Sequence, residues 1–139
     1  MIAFDSDVLT EVFKGKVGYA NRASLTPGED QFVPIVVAEE AMRGWLNYVR
    51  QADAGKIRVP LIEAYEQLRT NLLRIGRLRI LSYTAEMHQH YLRLKSRKIR
   101  IGTRDLRIAS IVLAHDATLV TRNRRDYELV PALKLEVWN

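Results

Sequence analysis

The chain has 139 residues, 47% of them hydrophobic and 27% charged, a composition ordinary for a single soluble globular domain. It contains no cysteine, which excludes disulfides, thiol nucleophiles and cysteine-built zinc sites, and no run of about 18 apolar residues offers a membrane span. Lysine and arginine together number 22 against 16 acids, a formal net charge of +6 that points towards a polyanionic partner. Met1-Ile2-Ala3-Phe4 opens as a short apolar strand and not as a signal peptide, so the expectation is one cytoplasmic domain over residues 1–139.

The first strand breaks at Asp5-Ser6-Asp7, and Val8-Leu9 resumes an apolar pattern that reads as a helix through about Tyr19. Residues 21–30 read as a loop around a Pro27-Gly28 turn. Residues 32–37 are apolar and β-branched, as in a second buried strand. Residues 38–54 then carry Ala41, Met42, Trp45, Leu46 and Val49 at helical spacing, with Gly55 placed to close the helix. A further helix over 61–75 puts Leu61, Ala64, Tyr65, Leu68 and Leu72 on one face. Leu78, Ile80 and Leu81 read as a third strand, and Thr84 as the cap of a helix to about Arg97. Leu106, Ile108, Ala109, Val112 and Leu113 build the next helix. Residues 118–121 and 134–138 are the fourth and fifth strands. This alternation predicts an α/β fold: a central, mainly parallel five-stranded sheet flanked by helices.

In such sheets, ligands gather at the carboxyl ends of the strands. Asp5 follows the first strand, and Glu40 falls in the first turn of the helix after the second. Asp105 opens the helix before the fourth strand, which is followed by Asn123 and Asp126. Carboxylates brought to one point repel unless a cation sits between them, and oxygen donors without cysteine or paired histidine suit Mg²⁺ or Mn²⁺. For any one of these residues, helix or turn capping is the competing reading.

The charge is unevenly spread. Residues 1–40 hold seven acids and three bases, whereas the remaining 99 hold nine acids and 19 bases. Sixteen of the bases are arginine, whose planar fork suits phosphate oxygens. Arg122, Arg124 and Arg125 flank the last candidate site residues, and Arg100, Arg104 and Arg107 approach from the loop and helix around Asp105. A solvated surface is the alternative role for each.

Four segments in order resemble the motifs of the PIN-domain nucleases, and the resemblance spans essentially the whole chain. Residues 1–9, Met-Ile-Ala-Phe-Asp-Ser-Asp-Val-Leu, are similar to that family's opening strand with its first metal-binding Asp. Val36-Val37-Ala38-Glu39-Glu40-Ala41-Met42-Arg43-Gly44 resembles its Glu-x-x-x-Gly motif, with Glu40 in the ligand position. Arg104-Asp105-Leu106-Arg107-Ile108-Ala109 resembles Asp-x-x-Ile-Ala. Thr121-Arg122-Asn123-Arg124-Arg125-Asp126-Tyr127 resembles Thr-Arg-Asn-x-x-Asp-aromatic. Position 7 departs from the pattern, with Asp where Asn is common. Asp7 is therefore a further candidate ligand or an orienting group, and Asn123 and Asp126 both compete for the fourth site position.

The resemblance implies a metal-dependent endoribonuclease in which Asp5, Glu40 and Asp105 bind Mg²⁺ or Mn²⁺ to activate water, while Arg104, Arg107, Arg122, Arg124 and Arg125 hold RNA. Many small members are toxins of type II toxin–antitoxin pairs, the VapC type. That implies a cognate small antitoxin covering the acidic crevice, and a homodimer. The apolar helices at 41–49 and 61–72, with Trp45, Tyr48 and Tyr65, are candidate surfaces, although Trp45 also reads as core.

Two other functions compete. The same fold could serve as an inactive scaffold that binds RNA or protein. Asp5-Ser6-Asp7-Val8 also matches the Asp-x-Asp-x-Val opening of haloacid-dehalogenase-type phosphatases, but their later lysine and paired acids are not evident, and Glu40 would have no role. A receiver domain would need an Asp at Leu81-Ser82-Tyr83, and Gly15-Lys16-Val17-Gly18 is too short for a P-loop. His88 and His90 read as surface residues, and His115 as a helix-end residue.

Overall fold

A computed structural model describes residues 1–139. The elements alternate in the expected order: β1 (Ile2–Phe4), α1 (Ser6–Phe13), α2 (Val17–Ser24), β2 (Gln31–Pro34), α3 (Ile35–Asp53), α4 (Leu61–Gly76), β3 (Arg79–Leu81), α5 (Ala85–Ser96), α6 (Thr103–Ala114), β4 (Thr118–Thr121), α7 (Arg124–Tyr127) and β5 (Lys134–Val137). All pairings are parallel, in the order β3-β2-β1-β4-β5. β1 therefore lies in the middle. The chain winds outward through β2 and β3, then crosses back to add β4 and β5 on the other side. The direction of winding switches between β1 and β4, and in sheets of this kind ligands gather at the carboxyl ends beside such a switch.

β1 is buried along its whole length, as a strand covered on both faces must be. A single hydrophobic cluster joins it to Val33, Val37, Ile108, Ile111, Val112, Leu119 and Val120. The edges are polar where the sheet meets water. In β5, Lys134 and Glu136 are exposed while Leu135 and Val137 turn inward, and Arg79 lies exposed on β3. Trp138 sits just beyond β5 with its ring edge-on to Phe4 and tilted against Tyr19, and its backbone N–H donates to the Thr121 carbonyl.

Three expectations are corrected. The first helix does not run through to Tyr19. Gly15 adopts φ +72°, the Gly15 and Lys16 amides bond back to Val12 and Glu11, and this left-handed cap separates α1 from α2. As a result, residues 21–24, read as loop, belong to the second helix, Val17–Ser24. The second strand is shorter than 32–37. Pro34 ends it, since a residue without an N–H cannot continue the ladder, and α3 begins at Ile35 with Val36, Val37 and Ala38 buried in its first turn. An apolar run of this length does not distinguish a strand from a buried helical turn. Finally, His88 is not a free surface residue. Its ring packs against Tyr83 and Tyr91, and its Nδ1 pairs with the Tyr83 hydroxyl at 2.9 Å. Gly55 closes α3 and Thr84 caps α5 as expected.

Trp138 is only 3% exposed and joins the last segment of chain to β1 and α2. Trp138→Ala is expected to lower unfolding stability by about 3–5 kcal/mol in a denaturant titration.

Candidate active site

Asp5 is the first residue beyond β1, and strand geometry carries it to the carboxyl edge. It is 5% exposed and is held on both oxygens: Oδ1 accepts from the Ser6 amide at 2.9 Å, and Oδ2 from the Thr121 hydroxyl at 2.7 Å. Thr121 ends β4, is itself fully buried, and also accepts from the Asn123 amide at 3.0 Å. The Ser6 hydroxyl donates to Glu40 Oε2 at 3.0 Å. Glu40 thus reaches the site from the second turn of α3, not the first, because that helix begins at Ile35. No helix N-terminus stabilises its charge. A serine does so instead.

Asp105 does lie in the first turn of α6, and its Oδ1 accepts from the Tyr127 hydroxyl at 3.1 Å. Asn123 caps α7. Its Oδ1 accepts from the Asp126 amide at 3.4 Å, and its Nδ2 donates to Asp126 Oδ2 at 3.1 Å. Asn123 is thereby occupied in holding Asp126, whose charge bears on Asp105. Asp7 caps locally through the Val8 amide at 2.7 Å, yet its charge bears on both Asp5 and Asp105.

The electrostatics follow from this crowding. Burial, reinforced by Asp7 and Asp105, pushes the Asp5 carboxyl up to about 7 against the Thr121 and Ser6 hydrogen bonds. Burial also raises Asp105, helped by Asp126 and Asp7. The Tyr127 phenol is raised well above its usual range by burial and by the charges of Asp5, Asp105 and Glu40. Five acids and one phenol therefore share a single electrostatic neighbourhood. No three of these side chains stand close enough to cage an ion as they are placed. The donor set still fits a hard divalent cation: the candidate ligands are carboxylates and one amide oxygen, and the uncompensated repulsion is what a bound cation would relieve.

The arginines surround this edge. Arg104, Arg122, Arg124 and Arg125 are exposed, with Arg124 3.8 Å from Glu128. Arg107 is placed differently: its guanidinium lies 5.2 Å from the Tyr91 ring centre, and its Nε is buried without a partner. A groove of about 630 Å³ leads away from the acids between α1, α3 and α4, lined by Asp7 and Glu40 at one end and by Phe13, Trp45 and Tyr48 further along. Trp45 is half-buried: it stacks on Phe13, packs against the edge of the hydrophobic cluster and also walls the groove. Ser6, Thr121 and the Tyr127 hydroxyl are functional neighbours not singled out in the sequence. The available signal was polar atoms at positions that the strand and helix patterns bury.

Residues 2–131 match the family profile described as PIN domain. Ribonuclease VapC2 of Rickettsia felis is 36% identical over 69 residues, 47% of this chain and 52% of that protein, so the match spans about half the length of the relative. The fold resembles solved structures of VapBC2 from Rickettsia felis bound to a promoter DNA fragment, with TM-score 0.78, 24% identity and full coverage of both chains. It also resembles DNA-bound VapBC from Salmonella typhimurium, with TM-score 0.80 and 19% identity over 99% of this chain and 98% of that one. VapBC-1 from nontypeable Haemophilus influenzae is similar at TM-score 0.73 and 21% identity, covering 99% and 98%.

The native state of the metal-free protein keeps a proton on Asp5 that the unfolded chain has released above its ordinary value of 3.8. Native protein thus binds more protons than unfolded protein, and stability falls as pH rises from 3.8 through about 7. Thermal melting without metal is expected to be higher near pH 5 than near pH 8, and Asp5→Asn to flatten the difference. A melting temperature that rises over this range would contradict the assignment.

Proposed function

The chain belongs to the PIN-domain family, and on that premise we propose that it is a Mg²⁺- or Mn²⁺-dependent endoribonuclease of the VapC type, the toxin of a type II toxin–antitoxin pair acting in the cytoplasm. The observation that carries this reading is the charge-crowded carboxyl edge, where Asp5 and Asp105 are both raised by burial and by neighbouring acids. A site that keeps this repulsion without a cation gains nothing from it. The name of the Rickettsia felis relative supports the activity, and the VapBC complexes support an antitoxin partner.

Asp5, Glu40 and Asp105 would hold the ion, with Asp126 as the fourth acid and Asp7 at the margin. A divalent cation bound there supplies charge neutralisation of the phosphodiester and a water acidified towards hydroxide. The chain's own groups do the rest. Thr121 and the Ser6 amide fix Asp5 so that its orientation is set before RNA arrives, and the Ser6 hydroxyl fixes Glu40. Asn123 serves as the cap that orients Asp126 and is not itself the fourth ligand. The exposed guanidinium groups of Arg104, Arg122, Arg124 and Arg125 hold backbone phosphates beside the acids. Arg107, stacked on Tyr91, stiffens the α5–α6 pair instead of reading RNA.

Met42 and Leu46 on α3 and Tyr65, Leu72 and Leu73 on α4 are exposed apolar side chains. We assign this face to a second copy of the chain, and the groove beside Asp7 and Glu40 to a segment of the antitoxin.

Asp5→Asn and Asp105→Asn are each expected to lower metal-dependent RNA cleavage by roughly 10²–10³-fold, with the folded far-ultraviolet circular dichroism spectrum retained. Cleavage at the wild-type rate in both would refute the nuclease reading in favour of a scaffold. In RNA binding followed against salt, Arg122→Ala is expected to reduce the log–log slope by about 0.7, one phosphate contact. An unchanged slope would place Arg122 outside the RNA path.

A further inference from the structure

We propose that Tyr127 is a positioning residue for the third acid, its phenol hydroxyl clamping Asp105 Oδ1 so that Oδ2 is left free for the bound cation. This rests on the metal-dependent nuclease reading above.

The three principal acids are each held by one hydroxyl: Asp5 by Thr121, Glu40 by Ser6 and Asp105 by Tyr127. They are not held equally. Asp5 has a second anchor in the Ser6 amide, whereas the Tyr127 hydroxyl is the one hydrogen bond made to the Asp105 side chain. Asp105 is also half-buried at the first turn of a helix, with the charges of Asp126 and Asp7 bearing on it. Without a donor, like-charge repulsion would turn this carboxylate towards solvent, away from the point where the other acids meet. A neutral hydroxyl opposes that rotation without adding a positive charge that would compete with the metal.

The position of the donor supports the same role. Tyr127 is 0% exposed, its ring belongs to the hydrophobic cluster, and its backbone is held by the Asn123-capped turn. A rigid, buried ring places its hydroxyl with little freedom. Ring volume alone would be satisfied by phenylalanine, and a buried phenol oxygen is tolerated because it has a partner. That partner is a candidate metal ligand 22 residues earlier in the chain. Hydrogen bonds of this kind, one step outside the ligands, typically govern metal affinity by about 10–100-fold.

The test is Tyr127→Phe in the full-length protein, read first by Mn²⁺ binding without RNA, using calorimetry or the loss of the free-ion paramagnetic signal. Tyr127→Phe is expected to weaken Mn²⁺ affinity by about 10–100-fold while the folded spectrum is retained. The Mg²⁺ concentration giving half-maximal RNA cleavage should rise by the same factor. Removing the same oxygen in an Asp105→Asn background should produce little further loss, because the group it positions has already lost its charge. Mn²⁺ affinity equal to wild type, or an equal loss in the presence and absence of Asp105, overturns the proposal. A lowered melting temperature with unchanged affinity also overturns it, since it would make the hydroxyl merely structural. Failure of the nuclease reading looks different: wild-type protein then binds no Mn²⁺, or Asp105→Asn cleaves RNA as well as wild type.

Discussion

At the carboxyl edge of the sheet, the Thr121 hydroxyl donates to a buried Asp5 carboxylate across the seam between β4 and β1. Much of the remaining site hangs on this contact. It fixes the first acid, and through the Asn123 amide it starts the turn that becomes α7. That turn presents Asp126 to the site and sends Tyr127 back beneath it. A desolvated carboxylate is an expensive group to keep in a fold unless it is hydrogen-bonded, and here both its oxygens are. The surrounding structure is best understood as what is required to hold one unfavourable charge in place.

The task of holding that charge is spread across hydroxyls and not across cations. Serine, threonine and tyrosine hydrogen-bond the acids, while Arg104, Arg122, Arg124 and Arg125 stay exposed. The division is physically sensible. A guanidinium paired directly with Asp5 or Asp105 would cancel the negative charge that the proposed divalent ion would otherwise meet there.

The five strands and their succession along the chain were readable from the residues because most of these buried strands are short apolar runs ended by a polar residue. The run Thr118-Leu119-Val120-Thr121 is unambiguous because the polar turn at Arg122-Asn123 follows it directly. Where the apolar run continues, as from Val33 through Ala38, period alone does not separate strand from helix, and the missing Pro34 N–H decided the boundary. The consequence reached the site: Glu40 moved from a first helical turn to a second, so its partner is Ser6 and not a helix dipole. The placements of Arg107 and Tyr127 were hidden for a different reason. Both depend on contacts between α6 and elements distant in sequence, and nothing in local composition reports that Tyr91 lies under one or Asp105 beside the other.

The central position of β1 has a kinetic consequence. Its two neighbours come from very different distances along the chain, residues 31–34 on one side and 118–121 on the other. Translation proceeds at about 5–20 residues per second, so β1 waits roughly 6 s or longer for its second neighbour. Until then Asp5 lacks Thr121, and neither Asp126 nor Tyr127 exists to complete the cluster. A nascent chain of this design makes Asp5 early but assembles the acidic edge only after residues 118–127 have followed. The order of the strands thus separates the making of β1 from the completion of the acidic edge by the whole interval from residues 2–4 to residues 118–127.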